Sequence, residues 1–274
     1  MIPNPGSQAA RTIKLSSPAT REFWEVPVLY EDDYLLALDK PSGLGTSPDR
    51  YNPDRPSLMK LLHTGIAEGR PWAKERNLSY LMNAHRLDEE TSGLILMAKS
   101  KPVLVDLVNL FGAEKPCKKY LALVHGAPPE ALFEIEAKLA PHPAKIGLVH
   151  VNPKSGKRAR TCFEVVEKFS HVTLLKCEPL TDRAHQIRIH LRYAQLPLVG
   201  DQLYGGKPLL LSRLKRVYRL KPKQSERPLL ARAALHAQEI TLPHPVTGES
   251  LAISAPWPKD FTVALKYLRK YAAS

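Results

Sequence analysis

The feature that most limits this fold is a long series of short apolar segments, alternating or continuous, with few helical patterns between them. VPVLYEDDYLLALDKPSG reads as strand, tight turn at Glu31–Asp33, strand and a Pro/Gly stop, with order beginning near Val26. Buried strands are expected at 93–100 and 118–126, and β-like segments at 132–137, 146–151, 160–167, 172–178, 233–241 and 250–254. Helical spacing appears after Ser57, where Leu58, Leu61 and Leu62 share a side. It returns over 102–112, from Thr181–Asp182 to about Ala194, and over 259–271. Residues 69–79 read as polar loop. Regular βαβ alternation is missing, which argues against a doubly wound parallel sheet. The pattern predicts an α+β fold: a large mixed, mostly antiparallel sheet with flanking helices. Residues 1–22 lack apolar periodicity and read as a flexible tail ahead of a folded domain over 23–274.

Charge narrows the partners. A net charge of +13 and a pI near 9.6 point to a polyanion, the other reading being a basic surface kept for solubility. Two stretches concentrate the cations. Lys138, Lys145, Lys154, Lys157, Arg158 and Arg160 lie in an interval without acids, and Lys207, Arg213, Lys215, Arg216, Arg219, Lys221, Lys223, Arg227 and Arg232 are opposed only by Glu226. Phosphate contact is favoured over a merely solvated face. No basic amphipathic helix with an aromatic face and no bilayer-length apolar stretch is present, so no membrane partner is expected. With no secretory signal to read, the expected compartment is the cytoplasm, and a monomer is the default. Cys117, Cys162 and Cys177 form no C-x-x-C pair and complete no zinc spacing; they are expected to be buried thiols, with no metal bound.

Three clusters carry reactive side chains. The first, Asn83 to Gly93, packs His85, Arg86, Asp88, Glu89, Glu90 and Thr91 into a connection before an apolar strand. Such a polar loop on a rigid strand suits catalysis, and equally a turn with an Asp cap and a surface ion pair. In the second, Thr181 to Arg192, a helix would put His185, Arg188 and Arg192 on one face and Ile187, Leu191 and Ala194 on another; a solvated amphipathic helix explains the same spacing. In the third, Lys118-Lys119-Tyr120 opens an apolar strand, where a tyrosine is most often a sheet residue.

Taken together the clusters resemble one family. His85-Arg86-Leu87-Asp88-x-x-Thr91-Ser92-Gly93-Leu94 is similar to the HRLDxxTSGLL signature of the RluA family of pseudouridine synthases. Asp39-Lys40-Pro41-x-Gly43, Lys118-Lys119-Tyr120-x-Ala122-x-Val124-x-Gly126, His185-Gln186-Ile187-Arg188-x-His190-Leu191, Pro197 through Gly205, and His236-Ala237 resemble further motifs of that family in the same order. The resemblance implies an RNA-modifying isomerase with a central catalytic cleft. It would break the C1′–N1 bond of a uridine and rejoin C1′ to C5, in rRNA or in a tRNA stem-loop. Asp88 would be the catalytic carboxylate, Arg188 its ionic partner, and Tyr120 the ring stacked on the uracil. Arg86 would fill the place of the flipped base, and His85, Thr91, Lys119, His185 and Gln186 would complete the RNA-binding surroundings.

Isomerisation needs no redox partner, and no cofactor motif is found, so no cofactor is expected. Where the family has Gly-Arg-Thr before HQIR, this chain has Asp182-Arg183-Ala184, and Asp182 is expected to cap the helix instead. Many members carry a small RNA-binding domain ahead of the core; none is expected here. Two other functions fit parts of the pattern. A nucleic-acid glycosylase also acts at a sugar carbon, though glycosidases commonly pair two carboxylates. A non-catalytic RNA-binding or RNA-folding protein would need only the scaffold.

Overall fold

A computed structural model describes residues 12–49, 52–215, 217–219 and 225–273. The chain divides into two compact units: Met1–Pro116 with Glu239–Ala255, and Cys117–Gln238 with Pro256–Ser274.

In the first unit, β1 (Thr12–Ser17), β2 (Glu22–Glu31), β3 (Leu35–Lys40) and β5 (Ser92–Ala98) pair antiparallel in that order, and β4 (Met82–Asn83) lies on β5. The β3–β5 pair is apolar on both faces for a simple reason. Leu36, Leu38, Ile95 and Met97 face a cluster with α1 (Leu58–Ala67), whereas Leu35, Ala37, Leu94, Leu96 and Ala98 face one with α3 (Lys101–Gly112). Burial on two sides replaces alternation with a continuous apolar run. Ser57 caps α1 as expected, its hydroxyl accepting from the Lys60 N–H at 3.3 Å.

The second unit repeats the device. Antiparallel strands run in the order β6 (Cys117–His125), β10 (Val172–Pro179), β9 (Lys157–Lys168), β7 (Leu132–Pro141), β8 (Val149–Val151). Leu121 and Leu123 of β6 face α6 (Lys259–Tyr271), and Ala122 and Val124 face α4 (Gln186–Tyr193). A single turn, α5 (Leu211–Leu214), precedes β11 (Leu235–Pro243), whose Glu239–Pro243 part pairs with β12 (Ser250–Ser254). This is the expected α+β class with mostly antiparallel sheet. Among the described residues no helix is long and apolar enough to cross a membrane.

Some expectations need correction. Thr12–Ser17, read as tail, is β1: its register with Glu22–Pro27 buries Ile13 and Leu15, a two-residue signal too short to stand out. Residues 1–11 of the expected tail lie outside the described residues. The polar loop 69–79 contains α2 (Pro71–Lys74), a single turn begun by a proline, which buries Trp72 and Ala73. Of the three thiols only Cys177 is fully buried; Cys117 and Cys162 are half-buried, donating to Glu178 and Glu134.

Candidate active site

The segment around Asp88 is an extended loop whose side chains alternate. His85 and Leu87 point inward, and Arg86 is exposed between them. His85 stacks on Phe111 at 5.1 Å, and its Nε2 accepts from the Leu96 N–H at 3.0 Å, so the neutral ring carries its hydrogen on Nδ1. Thr46 clasps Leu87 from both sides, accepting from its N–H at 3.1 Å and donating to its carbonyl at 2.8 Å. Asp88 itself is half-buried, and its carbonyl accepts from the Thr91 N–H at 3.1 Å, closing a turn that Gly93 (φ +112°) leaves in a conformation suited to glycine.

The Lys-Pro-x-Gly turn straps this loop from below. Lys40 is fully buried, and its ammonium donates to the carbonyls of Pro41 (2.9 Å), Leu44 (2.7 Å) and Glu89 (3.2 Å). Gly43 N–H reaches the Glu89 carbonyl at 2.9 Å, and Ser42 Oγ the Glu90 carbonyl at 2.7 Å. The Glu89 side chain meets Arg55. Glu89 and Glu90 thus anchor the loop through their main chain. Next to Lys40, burial pushes the Asp39 carboxyl up to about 6, with Lys40 pulling it back in part.

In the second unit Tyr120 is half-buried on β6, opposite Cys177, with its ring packed against the cluster that holds Ile187 and Leu191. Lys119 beside it is half-buried. Arg188 is 3 % exposed. Its Nε and Nη2 donate to the two oxygens of Asp201, both at 2.8 Å, and its guanidinium lies 5.0 Å from the Tyr204 ring centre. Helix α4 therefore differs from the expected cation-bearing surface helix: every residue from Gln186 to Leu191 is buried. His190 is sealed from solvent, with Nδ1 against the Thr161 hydroxyl at 2.9 Å, and desolvation lowers its pKa to about 4.

The entry to α4 corrects another expectation. Asp182 does not cap the helix; it lies outside it and pairs with Lys118 at 3.0 Å. The first turn starts at His185, whose φ of +54° is left-handed. Gln186 organises the turn through both ends of its amide. Its Oε1 accepts from Thr181 Oγ1 (2.8 Å) and the Arg183 N–H (3.1 Å), and its Nε2 donates to the Arg160 carbonyl and Thr161 Oγ1, both at 2.9 Å. His185 Nδ1 meets the Tyr204 hydroxyl at 2.6 Å.

The sequence-predicted residues thus separate by role. Arg86, Asp88, Lys119 and Tyr120 keep exposed or half-exposed side chains, whereas His85, Thr91 and Gln186 are buried fasteners of their loops. Asp201 and Tyr204, quoted only as part of a motif, were missed as members of the site. An aspartate framed as Gly-Asp-x-x-Tyr-Gly, thirteen residues after Arg188, was the available signal, and in the structure it is fully buried. The acid-free interval is also less cationic than it reads: Arg158 and Arg160 reach across to Glu136 and Glu134 on the neighbouring strand. Of the second basic stretch, Arg216, Lys221 and Lys223 lie outside the described residues. No group of His, Cys, Asp or Glu among the described residues is placed to hold a metal ion.

Comparison with known proteins bears on the fold and the family. A model of the RNA pseudouridylate synthase family matches residues 34–193, an interval that contains Asp88, Tyr120 and Arg188. Ribosomal large subunit pseudouridine synthase C of Yersinia pestis is 36% identical over 250 residues, covering 89% of this chain and 70% of that protein. Ribosomal large subunit pseudouridine synthase D of Haemophilus ducreyi is 33% identical over 248 residues, covering 88% and 70%. Among solved structures, human RNA pseudouridylate synthase domain containing 4 superposes with a TM-score of 0.65 at 22% identity, covering 88% of this chain and 92% of that one, a likeness of fold. An antiparallel α+β scaffold, a strapped HRLD loop, a buried HQIR arginine and relatives at this identity lead to one conclusion: the chain belongs to the RluA family of RNA pseudouridine synthases.

Proposed function

We propose that this enzyme isomerises a specific uridine of large-subunit ribosomal RNA to pseudouridine, with Asp88 as the catalytic carboxylate. The observation that carries the reading is the family match over residues 34–193, an interval that contains Asp88, Tyr120 and Arg188 within the stretches that resemble the family's motifs. The relatives' names supply the choice of ribosomal RNA.

The target base leaves its stack before reacting, at a cost of about a few kcal/mol that is smallest in loops and bulges. Exposed Arg86 occupies the place the base vacates. Asp88 acts at the ribose; the C1′–N1 bond breaks, the uracil turns, C1′ joins C5, and N1 gains a proton as C5 loses one. Tyr120 offers a ring face to the uracil and a hydroxyl to the proton leaving C5. By the resemblance, Arg188 supplies the permanent positive charge that keeps the Asp88 carboxylate ionised. Lysines around β7–β9 and the 207–232 stretch contact the flanking phosphates, which position the RNA without reading its sequence.

The test is to incubate wild-type protein and Asp88→Asn with total rRNA and total tRNA and map pseudouridine at single-nucleotide resolution. Wild type should modify a site in large-subunit rRNA. Asp88→Asn, nearly isosteric, should bind the RNA within about threefold but lose at least about a thousandfold in rate. Release of free uracil would make the protein a glycosylase, and binding of both pools with no modification would leave RNA binding alone; either result overturns the proposal.

A further inference from the structure

We infer that Asp201 is a positioning residue for Arg188, with the Tyr204 ring as the second wall of the clamp; the inference rests on the catalytic role proposed above for Arg188. Asp201 is fully buried and takes the Nε and Nη2 of Arg188 on its two oxygens, both at 2.8 Å, with side-chain exposures of 3% and 1% for the pair. An arginine has five N–H groups in one plane. Occupying the Nε edge fixes that plane and leaves Nη1 on the side away from Asp201. A carboxylate partner thus does more than balance charge: it sets the direction in which the remaining donors point.

The aspartate sits on a turn that has almost no freedom. A Cβ at Gly200 would lie 2.0 Å from the Arg232 carbonyl oxygen, and one at Gly206 1.8 Å from that of Leu198, so only glycine fits at either end. Within the turn Gly206 N–H donates to the Asp201 carbonyl at 2.7 Å, and Gly200 N–H to the Lys207 carbonyl at 2.8 Å. Tyr204, on the same turn, lies under the guanidinium. Its hydroxyl accepts from the Val149 N–H at 3.1 Å and so turns its own hydrogen toward His185 Nδ1. One rigid turn therefore fixes both His185 and Arg188, at the start of α4.

A double-mutant cycle tests this: Asp201→Asn, Arg188→Lys and the pair, each assayed for single-turnover pseudouridine formation and for RNA affinity, with circular dichroism to verify folding. Misplacing a catalytic group by about 1 Å can cost on the order of a hundredfold. Asp201→Asn should therefore slow the single-turnover step by tenfold or more, with affinity within about threefold of wild type. In the Arg188→Lys background the same change should cost less than about twofold, because a residue that acts through Arg188 has nothing left to position. If Asp201→Asn fails to fold, Asp201→Glu replaces it: the charge stays, the fork shifts, and the same cycle is expected. Losses that multiply across the cycle, or a weakened affinity with an unchanged single-turnover step, overturn the inference while wild-type activity leaves the proposed function standing. An inactive wild type overturns both.

Discussion

The two units each bury a cation, and they satisfy it differently. Lys40, fully buried, donates to three main-chain carbonyls from three different points of the chain. Arg188, nearly as buried, donates through two nitrogens to one carboxylate. An ammonium is a compact charge whose three hydrogens can meet oxygens from several directions, whereas a guanidinium is a flat fork with distinct edges. The lysine is a bolt that ties the Lys-Pro-x-Gly turn to the Asp88 loop. The arginine is a pointer, because its plane is set by whichever edge is occupied. Holding a loop and aiming a donor are separate tasks, and the chain assigns them to different residue types.

The comparison can be broken at several points. The largest effect is expected at Lys40. Lys40→Met keeps the length and removes the charge, leaving buried carbonyls without their donor. That costs about 3 kcal/mol, and the melting temperature should fall by roughly 5–10 °C. Residual folded enzyme should keep near-normal single-turnover activity; a large catalytic loss without a drop in melting temperature would show that Lys40 also aims. Arg188→Lys should do the reverse. It keeps the charge and loses the fork, so pseudouridine formation should fall about a hundredfold, which is roughly 2.7 kcal/mol on the barrier, while the melting temperature moves little.

The smallest effect concerns Asp39, beside the bolt. Its folded pKa of about 6 lies above the ordinary carboxylate value, so folding penalises the ionised form. The penalty is complete above pH 6, fades as pH falls, and is gone below about pH 4. Partial solvent access screens it. Asp39→Asn should therefore raise the melting temperature by roughly 2 °C at pH 8 and leave it unchanged at pH 4. An equal rise at both values would mean that charge is not the cause.

Much of this was legible in the sequence where a single physical pattern decided the outcome. The runs at 93–100 and 118–126 could be read because both faces of β5 and β6 are buried, and α6 because Pro258 and the spacing of Phe261, Ala264, Leu265 and Leu268 mark one apolar face. The strand at Thr12–Ser17 was not legible, since Ile13 and Leu15 acquire meaning only through the partner strand. At α4 the spacing placed the helix and misjudged its surroundings. Periodicity identifies a face with three basic groups, but only tertiary structure shows that Asp201, thirteen residues from Arg188, covers it. The turn before α4 also needed coordinates: Gln186 holds it because its amide offers an acceptor and a donor at once.

The ion pairs on the surface of the second unit bear on how tightly this protein grips a polyanion. Arg158 with Glu136, Arg160 with Glu134, Lys176 with Glu164 and Arg269 with Glu167 are matched at the surface. A matched cation has little to trade when it meets a phosphate, because its own carboxylate already does the work. The ions set free on binding, about 0.7–0.9 per phosphate contacted, then count unmatched lysines such as Lys138, Lys154 and Lys157. The exponent relating affinity to ionic strength measures that smaller number, and the full count of 40 lysines and arginines overstates it.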